Sequence, residues 1–241
     1  MAVEAVARTD TGLQREHNED AVLVESMGGG QLLAVADGMG GHNAGEVASE
    51  TALNSFAGVL EGAPEGSATS EALEQAVMRA DSAVRTKAKE GAEREGMGTT
   101  LVAALVTDDR ATVVNVGDSR AYRVTDATVE QITVDHSLVQ ELVESGKITE
   151  QEAEVHPRRN VISQALGASD AVEPDSFSRE LPPGETLVLC SDGLTEEVEE
   201  STLGDVVASA DSLDRAASEL IELANENGGS DNISVALCRR D

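Results

Sequence analysis

Four aspartates stand at the ends of apolar runs that have the composition of β-strands. The runs and their aspartates are residues 32–36 with Asp37, residues 112–116 with Asp118, residues 187–190 with Asp192, and residues 233–238 with Asp231. Asp231 precedes its run, whereas the other three follow theirs. In an antiparallel sheet, an aspartate that opens one strand lies beside aspartates that close the neighbouring strands. We therefore expect the four carboxylates to meet at one sheet edge.

A single Asp-Gly pair is first of all a turn signal, but four aspartates at the ends of apolar runs weaken that interpretation. The glycine in Asp37-Gly38 and Asp192-Gly193 allows a sharp turn and lets a backbone carbonyl approach an ion closely. Carboxylates that lie close together repel each other. A hard divalent cation with oxygen ligands relieves that repulsion. The pattern thus indicates a site for such a cation.

The composition of the 241 residues indicates one large domain or two small ones. Hydrophobic residues make up 40%, but with two Phe, one Tyr and no Trp the core must be largely aliphatic. No apolar run reaches the ~20 residues of a membrane helix, and residues 1–10 lack the features of a signal peptide. Cys190 and Cys238 lie in apolar runs and are expected to be buried free thiols. We expect a soluble, cytoplasmic protein with no membrane partner.

The net charge of −29, from 46 acidic and 17 basic residues, is far more negative than a metal site requires. Such an excess excludes nucleic acids and anionic membrane surfaces as favoured partners. Self-repulsion also destabilises the folded state until salt screens it. With only three lysines beside this acid excess, the composition is typical of proteins that work in a salt-rich cytoplasm. The alternative is an acidic protein from a cytoplasm of ordinary salt content.

Periodicity predicts separate helical and strand regions. Helices are expected over residues 43–60, over residues 70–88 with Ser70 as N-cap, and from Leu213 to a stop at Gly228. Strands are expected over residues 3–7, 21–24, 32–36, 100–107, 112–116, 120–124, 128–132, 185–190 and 233–238. Short links between the strands from residue 100 to 132 predict antiparallel neighbours, with a turn at residues 117–119. The fold class is therefore α+β, with helices and strands in separate layers.

Seven motifs resemble, in order and spacing, those of the metal-dependent PP2C-type serine/threonine phosphatases, and most of all the compact prokaryotic members. They are Arg15-Glu16-His17-Asn18-Glu19-Asp20, residues 35–42, Met97-Gly98-Thr99-Thr100, residues 115–120, Asp135-His136-Ser137, residues 189–195, and Asp231-Asn232. The resemblance implies a four-layer α-β-β-α sandwich of two antiparallel sheets flanked by helices. It also implies one catalytic domain over residues 1–241, with a flap of about residues 137–172 beside the active site.

The resemblance implies a centre of two Mn²⁺ or Mg²⁺ ions, with a third ion in bacterial relatives. Asp37 would bridge the two ions, Asp192 and Asp231 would complete one, and the carbonyl of Gly38 the other. The third ion would be held by Asp118 with Asp192, and by Asn160 in some relatives. Glu19, Asp20 and Asn232 would support these ligands from behind.

The resemblance further implies hydrolysis of phosphoserine and phosphothreonine in proteins, by in-line attack of a metal-bridging hydroxide. Arg15 would bind the substrate phosphate, and Arg15, Asp37 and Asp192 would carry the catalysis. Met39 stands where many eukaryotic relatives have a histidine, which leaves the general acid unassigned. His136 and His156 are candidate proton donors, although a lone loop histidine is more often simply exposed.

The resemblance implies a monomeric protein that acts on phosphorylated proteins and opposes a Ser/Thr kinase in the cell. The alternative is a catalytically inactive sensor or binding module with the same fold. Modules of that type usually lose metal-binding aspartates, whereas Asp37, Asp118, Asp192 and Asp231 are all present here.

The charge imbalance predicts stabilisation by salt. The Debye length falls from about 10 Å at 0.1 M salt to about 3 Å at 1 M, which uncouples most neighbouring surface acids. Tm should therefore rise between 0.1 M and 2 M potassium chloride, measured by thermal melting with EDTA present so that no divalent ion contributes. A flat or falling Tm would leave the acidity unexplained and remove the inference of a salt-rich cytoplasm.

Overall fold

The computed structural model describes residues 3–27, 30–41, 44–61, 69–107, 110–125 and 128–240. The strands are β1 Val3–Asp10, β2 Asp20–Met27, β3 Gly30–Met39, β4 Gly98–Thr99, β5 Leu101–Thr107, β6 Arg110–Val116, β7 Arg120–Val124, β8 Val129–Gln131, β9 Asp175–Glu180, β10 Thr186–Cys190 and β11 Ile233–Arg240. The helices are α1 Ala44–Leu60, α2 Ser70–Ala88, α3 Leu138–Glu144, α4 Glu150–Glu154, α5 Asp192–Thr195, α6 Glu200–Ser209 and α7 Leu213–Asn227.

The strands form two antiparallel sheets. One has five strands in the order β1-β11-β10-β7-β8, so that the first strand of the chain pairs with the last. The other has the order β2-β3-β5-β6-β9, with the short β4 added beside the end of β3. The predicted α+β class is confirmed.

Three apolar clusters lie between the layers and explain the sandwich. In β3, Leu33 and Val35 belong to the cluster between the sheets, together with residues of the five-stranded sheet such as Leu189. The alternate residues Leu32 and Ala34 pack with α1 and α2 on the outer face. A third cluster joins the five-stranded sheet to α6 and α7. Both faces of the central strands are covered, which is why their sequences read as continuous apolar runs. The predicted four-layer α-β-β-α arrangement is confirmed.

Several predicted boundaries need correction. The N-cap of α2 is Thr69, whose side chain accepts from the N–H of Ala72, so the assignment to Ser70 was wrong by one residue. Strand β9 was missed because only alternate residues of this edge strand are half-buried, and its polar residues resemble a loop. Helix α6 was also not located. Outside the described residues lie the predicted start of α1 at residue 43, residues 62–68 between the first two predicted helices, and residues 108–109, one of the short links between strands.

The short links had predicted that the strands before and after the turn at residues 117–119 are neighbours in one sheet. The structure shows that this was wrong. The turn carries the chain from β6 in one sheet to β7 in the other. Gly117 has a φ of 108°, and a Cβ there would lie 2.6 Å from the side chain of Thr100. This crossing therefore depends on glycine for both its conformation and its packing.

No helix in the described part of the chain is long and apolar enough to cross a membrane.

Candidate functional site

One end of the five-stranded sheet brings together three of the predicted aspartates. Asp192 begins α5 directly after β10. Asp231 precedes β11, the antiparallel neighbour of β10. Asp118 lies just before β7, where Arg120 pairs with Cys190 at the end of β10. The antiparallel pattern accounts for this grouping, because the end of β10 adjoins the starts of both neighbours.

Asp37 comes instead from the six-stranded sheet, so the prediction that all four carboxylates meet at the edge of one sheet was wrong for this residue. It lies near the end of β3 and opposite Asp20 at the start of β2. Two threonines hold the backbone of Asp37. Its N–H donates to Thr100 Oγ1 at 3.0 Å, and its carbonyl accepts from Thr99 Oγ1 at 2.8 Å. The Thr99-Thr100 pair was visible in the sequence as part of a motif, but no role had been predicted for it.

Gly38 lies where the end of β3 meets the start of α1. A Cβ at this position would collide with the carbonyl oxygens of Gly45 and Glu19. Glu19 joins the same elements, since its carbonyl accepts from the N–H of Gly38 at 3.1 Å and from Ser49 Oγ at 2.6 Å. Its carboxylate accepts from the N–H of Gly45 at 3.2 Å. Glu19 therefore fixes the backbone around Gly38.

Burial and mutual repulsion raise the pKa values of the clustered carboxyl groups. Burial, followed by repulsion from Asp20 and Asp192, raises the pKa of Asp37 well above its ordinary value. Burial also raises the pKa of Asp20 to about 7, with repulsion from Asp192 and Asp231 acting in the same direction. The pKa of Asp118 is likewise raised to about 7 by burial and by Asp192. Without a positive charge, the cluster retains protons that isolated carboxyl groups would lose.

Two carboxylate oxygens of the cluster, Asp118 Oδ1 and Asp192 Oδ1, are buried and make no hydrogen bond. Unsatisfied buried oxygens of this kind suit an ion that is held by oxygen ligands. Within the described ranges, no three acidic, histidine or cysteine side chains already stand around a common point for an ion. Asp231 is instead directed at Arg15. The donor set thus fits a hard divalent ion.

Arg15 contacts one of the predicted ligands directly. Its Nη2 lies 2.5 Å from Asp231 Oδ2, and half of its side chain is exposed. The other oxygen of Asp231 accepts from the N–H of Asn232 at 2.8 Å. Gly12, with a φ of 76°, packs against the carbonyl of Asp231 so closely that a Cβ would collide with it. The guanidinium therefore lies at the mouth of the site, between the acidic cluster and solvent.

Asn232 fastens the segment that carries Arg15 to the start of β11. Its side chain is 95% buried (5% exposed). The side-chain oxygen accepts from the N–H of Glu19 at 2.8 Å, and the amide donates to the carbonyls of Thr11 and His17, both at 2.9 Å. These three side-chain hydrogen bonds are all to backbone groups, so Asn232 acts by positioning the backbone.

Two further residues support the cluster and were missed from the sequence. Ser191 donates to Asp20 Oδ2 at 2.8 Å. Glu197 accepts from the hydroxyl of Ser230 at 2.6 Å and from its N–H at 3.1 Å, which holds the loop before Asp231. Ser191 lay inside a recognised motif, whereas no local signal distinguished Glu197 from the many surface acids of this chain.

His136 is buried and does not behave as the exposed loop histidine that was expected. Its Nδ1 accepts from the N–H of Gly117 at 3.3 Å, and its backbone N–H donates to the carbonyl of Gly117 at 2.9 Å. Nε2 lies 3.2 Å from Asp175 Oδ2. His136 therefore holds the turn that carries Asp118. The other candidate proton donor, His156, is half-buried and accepts from the N–H of Arg158.

Asn160, a predicted ligand of the additional ion, lies at the end of the flap. Its amide donates to Glu196 Oε1 at 2.7 Å. Its polar contact in the structure is therefore with the glutamate that directly follows α5.

The raised pKa of Asp20 predicts that stability depends on pH when no metal is present. Its pKa rises from 3.8 to about 7 on folding, so the folded state holds a proton that the unfolded state releases. The free energy of unfolding must then decrease as the pH rises from about 4 to about 7. In EDTA, Tm should fall over this range, and it should fall less in the Asp20→Asn variant.

The matched control is Asp211→Asn, which removes one carboxylate from an exposed position. Its Tm should follow that of the wild type from about pH 4 to about pH 7, the range over which Asp20 changes charge. If the Tm of Asp20→Asn fell with pH as steeply as that of the wild type, Asp20 would ionise as readily in the folded chain as in the unfolded one, which would contradict the prediction.

Comparisons with known proteins agree with this arrangement. Residues 13–237 match the family model described as protein phosphatase 2C. The serine/threonine phosphatase stp of Listeria welshimeri is 40% identical over 246 residues, which cover 99% of this chain and 96% of the relative. The structure of the phosphatase Stp1 of Staphylococcus aureus is 37% identical and covers 100% of this chain and 96% of its own, with a TM-score of 0.93. A crystal structure of the catalytic domain of PstP in complex with two manganese ions is 39% identical and covers 99% of both chains, with a TM-score of 0.87. This chain belongs to the protein phosphatase 2C family.

Proposed function

We propose that this protein is a metal-dependent phosphatase that hydrolyses phosphoserine and phosphothreonine in proteins. The observation that carries the proposal is the partly buried group of aspartates, which contains two buried oxygens without hydrogen bonds and has the guanidinium of Arg15 at its mouth. Family membership and the printed names of the relatives, which are serine/threonine phosphatases, support the same reaction.

Four groups would hold the two ions: the carboxylates of Asp37, Asp192 and Asp231, and the carbonyl of Gly38. Asp118, whose buried oxygen has no partner, would hold an additional ion with Asp192. Oxygen ligands of this kind suit Mn²⁺ or Mg²⁺, and the two manganese ions of the PstP complex support that choice. When bound, such ions lower the pKa of coordinated water and neutralise charge on the phosphoryl group.

The side chains of this protein position the reactants. Arg15 would turn from Asp231 to the phosphoryl oxygens once an ion competes for that carboxylate, because its planar guanidinium binds phosphate in a bidentate manner. Asn232 holds the backbone on either side of Arg15 through the carbonyls of Thr11 and His17. Cys190 is not a nucleophile, because burial raises the pKa of its thiol to about 12.

The cellular setting we propose is a cytoplasmic monomer that acts on phosphorylated proteins and opposes a Ser/Thr kinase. Two buried free thiols are in keeping with a reducing compartment. The inactive binding module is the weaker alternative, because the complete set of aspartates and Arg15 would serve no purpose in it.

The test of this function is hydrolysis of p-nitrophenyl phosphate and of a phosphothreonine peptide with Mn²⁺, with and without EDTA. EDTA should abolish turnover. Asp37→Asn should lower kcat/KM by more than about 100-fold, the upper end of the losses seen when a group that only supports a ligand is removed. In EDTA, the variant should melt no lower than the wild type, because a repelled buried carboxylate has been neutralised. No turnover by folded, metal-loaded wild type would exclude the proposed function.

Arg15→Ala separates phosphate binding from metal binding. Loss of a charge-assisted contact of about 1.5–3 kcal/mol should lower kcat/KM by about 10- to 150-fold. Apparent Mn²⁺ affinity, measured by calorimetric titration, should be unchanged or tighter, because Arg15 competes with the ion for Asp231. The control is Arg8→Ala, which removes another exposed arginine paired with an aspartate, Asp214. A loss of Mn²⁺ affinity as steep as the loss of activity would instead make Arg15 a structural partner of the acidic cluster.

A further inference from the structure

A cavity of about 600 Å³ extends outward from the aspartate cluster beneath the flap. Asp118 and Asp192 line its inner end. One wall is formed by α3 and α4 of the flap, and the opposite wall by the end of α5 and the start of α6. Its volume lies within the range of ordinary ligand sites, roughly 300–1,000 Å³. The metal centre uses only the inner end of this cavity.

The outer part of the cavity is strongly negative. Four of its lining residues are glutamates that the metal centre does not use: Glu150, Glu154, Glu196 and Glu200. Arg159 and Arg120 are the basic residues that line it. Burial and the nearby Asp192 raise the pKa of Glu196, as expected where negative charge is in excess.

Arg120 does little to offset this charge, because Asp135 already neutralises it. Its Nε lies 3.0 Å from both oxygens of Asp135, and its Nη2 lies 2.7 Å from Oδ2. Arg120 Nη1 also lies 3.9 Å from Glu200 Oε1. The other three glutamates, Glu150, Glu154 and Glu196, have Arg159 as the remaining cation among the lining residues.

The apolar part of the lining points to a cationic ligand with an aliphatic stem. Val139, Val143 and Ala153 give the flap wall an apolar stretch beside the glutamates. Lysine and arginine lay their methylene groups along apolar surface while their charged ends reach polar groups. An acidic side chain in the same place would be repelled.

We propose that this cavity takes a lysine or arginine side chain of the phosphoprotein substrate, close in sequence to the phosphorylated serine or threonine. The inference rests on the proposed phosphatase function, since the phosphoryl group must lie at the aspartate cluster. Its consequence is that basic phosphorylation sites are dephosphorylated faster than acidic ones.

The experiment compares two phosphothreonine peptides that differ only at the three residues on either side, which are arginine in one and glutamate in the other. The wild type should hydrolyse the basic peptide with a kcat/KM about 10-fold higher or more, as expected for a hydrogen bond to a charged group. The double variant Glu150→Gln/Glu154→Gln should bring this ratio close to one. Glu154→Lys should shift it toward the acidic peptide.

The matched control is Glu222→Gln/Glu226→Gln, which removes two exposed glutamates with the same spacing from α7. It should retain the wild-type ratio. Hydrolysis of p-nitrophenyl phosphate, which has no flanking residues, should be unchanged in every variant. Without such hydrolysis by the wild type, the phosphatase function itself fails. Hydrolysis with no preference between the peptides, or losses in the flap variants that are equal for all substrates, would overturn the cavity assignment alone.

Discussion

The aspartates cluster where the ends of the two sheets lie side by side, and the repulsion between their carboxylates is the constraint on which the rest of this structure depends. Asp37 and Asp20 come from one sheet, and Asp118, Asp192 and Asp231 come from the edge of the other. Burial and mutual repulsion raise the pKa values of Asp20, Asp37 and Asp118, as expected for a grouping that is unfavourable without a positive charge. A fold that keeps such groups together must hold the backbone at each aspartate, so that repulsion does not move the carboxylates apart.

The supporting contacts serve that purpose, because most of them act on the backbone and not on the carboxylates. The threonine pair holds the main chain of Asp37, Glu19 holds that of Gly38, and Asn232 holds the segment from Thr11 to Glu19. Thr100 also meets Ser119 across the sheets, with their hydroxyl oxygens 2.7 Å apart. Oδ1 of Asp118 and Oδ1 of Asp192 have no hydrogen-bond partner and are left for an ion.

Much of this could be predicted from local patterns. The strand ends at Asp37 and Asp192 are marked by apolar runs followed by Asp-Gly, and the strands that bear them extend close to their predicted ranges. The predictions that failed, and the features that were missed, concern contacts between residues that are distant in the chain. The burial of His136 follows from its packing on Gly117, and the hydrogen bond between Asn232 and Thr11 joins residues 221 positions apart. The passage between sheets at Gly117 also left no local sign, because a tight turn within a meander has the same residues.

The pairing of β1 with β11 has a consequence for biosynthesis. β1 lies at the edge of its sheet, and β11 is its partner within the described strands. During translation the first strand must therefore wait, unpaired, until more than two hundred further residues have been made. The same delay applies to the segment around Arg15, which Asn232 fastens. Since pairing of such distant segments is slow and leaves strand edges exposed, Asp231 and Arg15 reach their places only late in synthesis. Ribosome-bound intermediates of this protein would consequently be inert toward phosphorylated neighbours until the last strand emerges.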